Sequence, residues 1–423
     1  MKKAVFTIAS FCAALSINAQ SPLGLSYPLG VPDIAVTGAA AAMGGGGTAL
    51  AEEYLGTSLN PANAAIGERS AFSALVSFDA TGISDNGKSS MVSGYMPKLL
   101  SLIIPIGKAG NIGFSMQQRY DANLNFYTRE ARKIDSITTS TSTIELHRNG
   151  GLTAWQAGWA YRFANGIGVG LQYERFYFKR DTREVFESVF TYELASGANP
   201  YRASTTENAT ANIASDGVRF GMQVPVHEKV TLGFAGEYIL PGTNNGSATR
   251  EYRRSDTSAA LSDTSYSFSA DLPPYMNIGA AYKLDDHWLF TADAYTTLWE
   301  YYENDLEPTL AEADRCFGIS VGARFIPAAN VLSSKYWEKI HYSAGARYAT
   351  LPNNKAYDRA SEYALTLGAG LPIPNDGGMV DIVFSFGKRS DPRYDGYGEN
   401  IVKIQLGLNG GRDWFQKDAS KNY

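Results

Sequence analysis

The chain has 423 residues, with 37 Lys and Arg against 42 Asp and Glu and a formal net charge of -5. That mildly acidic balance leaves no basic surplus to recruit nucleic acid. Its two cysteines, Cys12 and Cys316, and its four scattered histidines form no zinc spacing, so neither a metal nor another cofactor is expected.

Residues 1–19 read as a secretory signal peptide: Lys2 and Lys3 start it, an apolar stretch follows over 4–17, and Ala19 ends a cleavage site. Cys12 leaves with that signal, so Cys316 has no intramolecular disulfide partner. Residues 20–69 are rich in Ala and Gly and show almost no alternation. Gly44, Gly45, Gly46 and Gly47 stand in a row. No Lys-Ser/Thr follows them and no strand precedes them, so tight backbone packing is expected there and phosphate cradling is not. Residues 48–54 are predicted to form a short helix. Asn60, Pro61 and Ala62 predict a second helix start, with Asn60 as N-cap and Pro61 at N1, where its missing N–H costs nothing. The segment 20–69 is predicted to be a small, partly helical hatch.

From residue 70 a period of two takes over. Ile112, Phe114 and Met116 alternate with Gly113, Ser115 and Gln117, and Val402, Ile404, Leu406 and Leu408 with Lys403, Gln405 and Gly407. A strand with one apolar and one polar face is half-buried. The pattern runs through the chain with no separate apolar core, so the apolar face is expected to meet lipid. The predicted strands are 70–80, 94–106, 111–127, 150–164, 167–180, 211–226, 229–240, 271–283, 287–301, 315–326, 338–350, 359–373, 379–389 and 398–410. The fold expected is all-β: a transmembrane antiparallel β-barrel of about 14 strands over 70–415, with the hatch in its lumen and a periplasmic tail at 416–423. No run after the signal reaches the ~18 apolar residues of a membrane helix. A soluble propeller would show a blade-length repeat, and none is visible. The 26 Tyr and 20 Phe suit the aromatic girdles of such a barrel.

Short connections at 107–110, 164–166, 227–228, 284–286 and 375–378 alternate with long polar ones at 128–149, 181–210, 241–270 and 302–314. Short turns belong to the periplasmic side and long loops to the outside. An even strand count then places both termini in the periplasm of an outer membrane. The connection 327–337 is a misfit, long on the side expected to be short.

Inward positions carry mixed charges: Arg119, Glu174, Arg219, Glu237, Asp293, Arg324, Arg347, Asp381 and Lys403. They either grip a plug or solute or brace the wall. Trp155, Trp159, Trp288 and Phe290 point outward. Pro97 removes a ladder hydrogen bond and marks a bulge or a strand start. Ile144 and Leu146 lie on even numbers, Trp155 and Trp159 on odd. A bulge at Asn149, Gly150 and Gly151 repairs that slip, as a gap in the wall or a bend at its rim. Gly318 to Gly322 matches the nucleophile-elbow spacing around Ser320. That motif needs a strand-to-helix turn, whereas Phe317, Ile319, Val321 and Ala323 continue an outward strand stripe, so no enzyme is expected.

The stretch 42–53, followed by Ser58-Leu59-Asn60-Pro61-Ala62, resembles the N-terminal hatch of FadL-type long-chain fatty-acid transporters. Asp271-Leu272-Pro273-Pro274-Tyr275, continuing through Gly279, Tyr282, Trp288, Ala292, Tyr295 and Trp299, is similar to that family's Leu-Pro strand entry and Trp-ended hairpin. Residues 365–371, Asp381, 384–387, 401–408 and Trp414-Phe415 resemble FadL-like proteins of Bacteroidetes-type bacteria. The resemblance implies a fourteen-stranded barrel closed by a hatch, and passive uptake of hydrophobic molecules that leave sideways through the wall. The expected partners are outer-membrane lipid, lipopolysaccharide and hydrophobic small molecules. The alternative is a FadL-fold interaction protein, similar to the PorV-type partner of type IX secretion, which receives secreted protein cargo.

Overall fold

The computed structural model describes residues 29–50, 56–85, 88–135, 138–192, 201–254, 257–266, 271–301, 314–328, 335–352, 359–374, 378–392 and 396–412. The signal assigned to 1–19 and the tail at 416–423 lie outside the described residues. In chain order the strands are β1 (Val31–Pro32), β2 (Ser70–Asp85), β3 (Lys88–Pro105), β4 (Asn111–Asp121), β5 (Leu124–Lys133), β6 (Thr138–Arg162), β7 (Gly168–Tyr192), β8 (Tyr201–His227) and β9 (Val230–Ile239). They continue as β10 (Thr243–Arg254), β11 (Thr257–Tyr266), β12 (Tyr275–Lys283), β13 (Trp288–Thr297), β14 (Cys316–Phe325), β15 (His341–Thr350), β16 (Ser361–Ile373), β17 (Gly378–Ser390) and β18 (Gly398–Arg412).

Fourteen of them form a closed antiparallel barrel: β2, β3, β4, β6, β7, β8, β9, and β12 to β18. The circle closes where β18 pairs with β2, from Gly398 opposite Ser84 to Arg412 opposite Ser70. The alternation dictates which way each side chain points. Val402, Ile404 and Leu406 are exposed on the outer face, while Lys403 and Gln405 line a lumen cavity. Trp155, Trp159, Trp288 and Phe290 are also exposed. At the rim with the short turns, the Trp288 ring lies 4.7 Å from Phe325 and stacks 5.8 Å from Phe290. Trp159 stacks on Tyr161 at 5.9 Å. These rings form the girdle expected at a lipid–water boundary.

Three long connections are largely strand. The segments 128–149, 181–210 and most of 241–270 extend β6, β7 and β8 to 25, 25 and 27 residues and add β5, β10 and β11. Crossing a bilayer takes roughly 9–11 residues, so these strands rise well beyond it. Above the barrel, β5, β6, β7, β8, β10 and β11 pair in that order as a six-stranded extension. The runs 138–143 and 205–210 within it are Thr-rich and polar at nearly every position, so hydropathy has no alternation to display there. The predicted strand 111–127 divides at Ala122-Asn123, where Asn123 accepts a hydrogen bond from the Gly150 N–H at 2.8 Å.

The bulge predicted at Asn149, Gly150 and Gly151 is not there. The β6–β7 ladder runs through these residues without a shift, Asn149 opposite Asp181 and Gly151 opposite Lys179. Even-numbered residues face inward along all of this stretch. Leu146, Leu152 and Ala154 are buried on the same face as Gln156. The apparent slip is a change in the chemistry of the inner face, from polar to apolar. Bulges occur instead in β4, between Gln118 and Tyr120, and in β3 at Lys98, beside Pro97.

Among the described residues of the hatch the α-helix is α1 (Gly38–Ala42). Thr48 and Ala49 form a turn, and 51–55 lie outside the described residues. Small Ala side chains at 40, 41 and 42 let α1 press against β16 and β17, where long helix formers would not fit. Asn60 caps the 3₁₀ turn Pro61–Ala65, its side-chain oxygen accepting from the Ala62 N–H at 3.0 Å. The long connection 327–337 leads into a second 3₁₀ turn, Tyr336–Lys339.

Substitution tests this register. Leu406→Arg, on the lipid face near the midplane, should destabilise the barrel by about 2–4 kcal/mol, whereas Gln405→Arg should cost far less. Equal unfolding midpoints for the two variants in lipid would contradict the assignment.

Candidate functional site

The lumen is built around the hatch. Asp293 accepts the Gly47 N–H at 2.6 Å, the Thr48 N–H at 3.0 Å and the Thr48 hydroxyl at 3.0 Å. The glycine run thus ends in a nest of donors filled by a wall carboxylate. Arg219 and Asn277 both donate to the Leu59 carbonyl, at 2.8 and 3.1 Å. Gln223 donates to the Leu50 carbonyl at 2.9 Å, and Asn60 to the Thr48 carbonyl at 2.8 Å. Thr366 bonds both the Gly44 N–H and the Ala42 carbonyl.

Wall glycines permit this approach. A Cβ at Gly345 would overlap the Gly44 backbone, at Gly322 the Met43 backbone, at Gly233 the Thr48 carbonyl, and at Gly221 the Asn60 amide. Gly44 and Gly45 themselves have φ of 77° and 89°, which Gly adopts without strain.

The predicted inward charges fall into several groups. Arg119 donates to Glu237 at 2.9 Å and to Glu174 at 3.2 Å, and Arg219 lies 3.5 Å from Glu237. All four side chains are buried, and the Tyr275 ring sits under both guanidinium groups. Arg347 pairs with Glu362, which also holds Arg389; Arg389 in turn reaches Glu399 at 2.8 Å. Asp381 accepts from Asn409 at 2.6 Å and, with Arg324, lines a small cavity under α1. Ser320 sits in mid-strand in β14, between Asp293 and Arg347, with no strand-to-helix turn around it.

Two features escaped the sequence. The first is an apolar cluster inside the barrel. Leu152, Ala154, Phe176, Phe178, Ala211 and Ile213 from the wall enclose Leu29 of the hatch, with Leu272 and Trp299. Its signal is the apolar residues at inward positions of neighbouring strands, Leu152 and Ala154 in β6 and Phe176 and Phe178 in β7.

The second is a break in the wall. β3 pairs with β4 only from Leu99 opposite Gln117 to Pro105 opposite Asn111. Beyond that level β3 pairs with β2 alone. The hatch takes its place along β4: Val31 lies opposite Asp121 and Pro32 opposite Tyr120. The Asp33 and Ala35 N–H groups donate to Arg119 and Gln118 carbonyls at 2.9 and 3.0 Å. Asp33 then bonds Lys98 at 2.5 Å and Lys403 at 3.0 Å. Lys98 is the bulged residue of β3 and is 1% exposed. Pro97 was the signal for the bulge; nothing in the sequence pointed to Asp33.

Cavities flank this segment. The larger holds about 100 Å³ and is lined by Asp33, Tyr275, Asp293, Arg347, Glu362 and Lys403 among others. Drug-sized ligands occupy roughly 300–1,000 Å³, so neither of these two cavities holds a long acyl chain.

The closed fourteen-stranded barrel with a segment seated in its lumen has the FadL-type fold. Solved structures share the fold. A FadL homologue of Pseudomonas aeruginosa superposes with a TM-score of 0.60 at 12% identity, covering 91% of this chain and 99% of that one. The toluene transporter TodX of Pseudomonas putida gives 0.58 at 14% identity, over 89% and 97%. The toluene transporter TbuX of Ralstonia pickettii gives 0.54 at 14%, over 88% and 97%. The BamG family model matches residues 1–420, and the chain belongs to that family. No curated protein sequence matches it.

Two measurements check this site. Gly345→Val should exclude the hatch from its seat, costing about 1–3 kcal/mol of overpacking, and should raise planar-bilayer conductance. Gly236→Val should not, because a Cβ there meets nothing closer than 3.6 Å. The second concerns pH. Burial opposes ionisation of Asp33, but Lys403 and Lys98 outweigh it and hold the carboxyl well below its usual range. Such a group stabilises the fold above its unfolded pKa of about 3.9 and loses that as pH falls towards its folded value. Amide protection over 31–35 should therefore be constant from neutral pH down to about 5 and weaken below about 4.

Proposed function

We propose that this protein is a passive outer-membrane conduit for hydrophobic and amphiphilic molecules, long-chain fatty acids among them, and performs no covalent chemistry. One observation carries the reading: a single hatch segment, 29–33, both fills the apolar cluster through Leu29 and closes the wall break through Val31 and Pro32. Displacing it would leave an apolar site inside the barrel beside an opening towards lipid. The rest of the hatch, held by Asp293, Gln223, Arg219 and Thr366, would stay seated and keep the lumen shut. Transport through TodX and TbuX, named as toluene transporters, supports this reading. In it, residues 1–19 direct export and the short-turn rim and both termini face the periplasm. The outward belt contacts membrane lipid, and the long-strand rim lies among lipopolysaccharide.

A second reading is a FadL-fold interaction protein that receives a protein partner. The six-stranded extension favours it, because transport through the wall gives no reason for strands of 25–27 residues.

Acyl chain length separates the two. Burial is worth about 25 cal/mol per Å² of apolar surface, or about 0.8 kcal/mol per methylene. Titrating the purified protein with fatty acids of increasing length should give micromolar affinities that improve by that step while the chain stays buried. A flat series, with no lipid extracted from the protein, would sink the conduit and favour the partner reading.

A further inference from the structure

The segment that closes the wall ends in a contact that resembles a bound ligand. Asp33 places one carboxylate oxygen on each of two ammonium groups, Oδ2 on Lys98 and Oδ1 on Lys403. Both lysines belong to the wall; Lys98 is buried at 1% exposure and Lys403 is largely covered at 12%. Among the described residues Asp33 is the carboxylate within 4.0 Å of Lys403, and Lys98 has a second, Asp79, at 3.8 Å. The other cations nearby are already committed: Arg347 is held by Glu362, and Arg389 by Glu362 and Glu399. Asp121 and Asp79 line the smaller of the two cavities beside this point. The wall thus carries two lysines whose shared counter-ion is lent by the hatch.

We propose that Lys98 and Lys403 form a carboxylate-binding site, and that Asp33 occupies it as an internal stand-in that keeps the site closed. The geometry selects the class of anion. Two donors address two oxygens of one planar group. The space around them, cavities of about 100 and about 40 Å³, admits a small head group. Leu29, four residues before Asp33, fills the apolar cluster. A chain rises at most about 3.3 Å per residue and this one turns at Gly30, so apolar end and carboxylate lie within roughly 13 Å of each other. An amphiphile of that span matches both ends of the segment at once. This deepens the conduit reading and rests on it only for the apolar half; the two-lysine site stands on its own geometry.

Chemical rescue tests the site on the full-length protein in detergent. Asp33→Ala removes the carboxylate and leaves room for a small one. Amide exchange over 31–35 should accelerate by roughly ten-fold or more. Sodium acetate, against chloride at equal ionic strength, should restore protection, and acetamide should not. Adding Lys403→Met should abolish the rescue. Asp33→Asn, which fills the space, should exchange fast and not respond to acetate. In the unsubstituted protein, dodecanoate should accelerate exchange over 29–35 and dodecanol should not, a measurement that holds even where Asp33→Ala fails to fold. Acetate rescue without a dodecanoate effect would keep the anion site and remove the conduit reading. No preference for carboxylate in either measurement would overturn the site.

Discussion

A chain that crosses a lumen without forming helix or sheet must still bond every peptide group it buries. That requirement shapes the inner face of this barrel. The Ala42, Leu50 and Leu59 carbonyls and the Gly44, Gly47 and Thr48 N–H groups all find their partners on wall side chains. Asn111 does the same for the Ala64 and Gly67 carbonyls. Each such bond contributes about 0.5–1.5 kcal/mol net, but a buried group left without one costs about 1–3. The hatch therefore sits where the wall offers donors and acceptors, and most inward polar residues have a definite structural duty.

The duties differ with height in the barrel. Arg119, Glu174, Arg219 and Glu237 make a dense charged layer whose members are all buried. Removing one member of such a set strands the others, a loss of several kcal/mol, whereas the intact set adds little by itself. The layer separates the lower hatch from the apolar cluster around Phe176, Phe178 and Trp299. Among the described hatch residues, the segment 29–35 reaches that cluster through Leu29, pairs with β4, and is bonded through Asp33 to Lys98 of β3 and Lys403 of β18.

The fourteen strands were legible because lipid imposes one simple rule on them. Each predicted span overlaps an observed barrel strand, and Asn60-Pro61 gave the 3₁₀ turn its start. The rule fails wherever lipid is absent. Thr138 to Thr143 and Thr205 to Thr210 look like loop because these runs are polar at nearly every position. Leu146 and Leu152 face inward yet are apolar, which inverted the expected code and produced a false bulge. The inward charges were found by parity, but their partners Lys98, Asp33, Glu362 and Arg389 were not. Asp33 lies 65 residues from Lys98 and 370 from Lys403, and even Arg389 and Glu399 meet only across a strand pair, so nothing local announces them.

The distance along the chain between such partners also sets an order of assembly. Asp33 meets Lys403 across 370 residues, and Gly44 meets Thr366 across 322. The hatch is synthesised first, yet its anchors lie on β16 and β18, the latter being the last strand made. Contacts of this separation form late, because the chain must be closed into a ring before they gain anything. The glycine-rich N-terminal segment must therefore wait, extended and unpartnered, until β18 reaches β2.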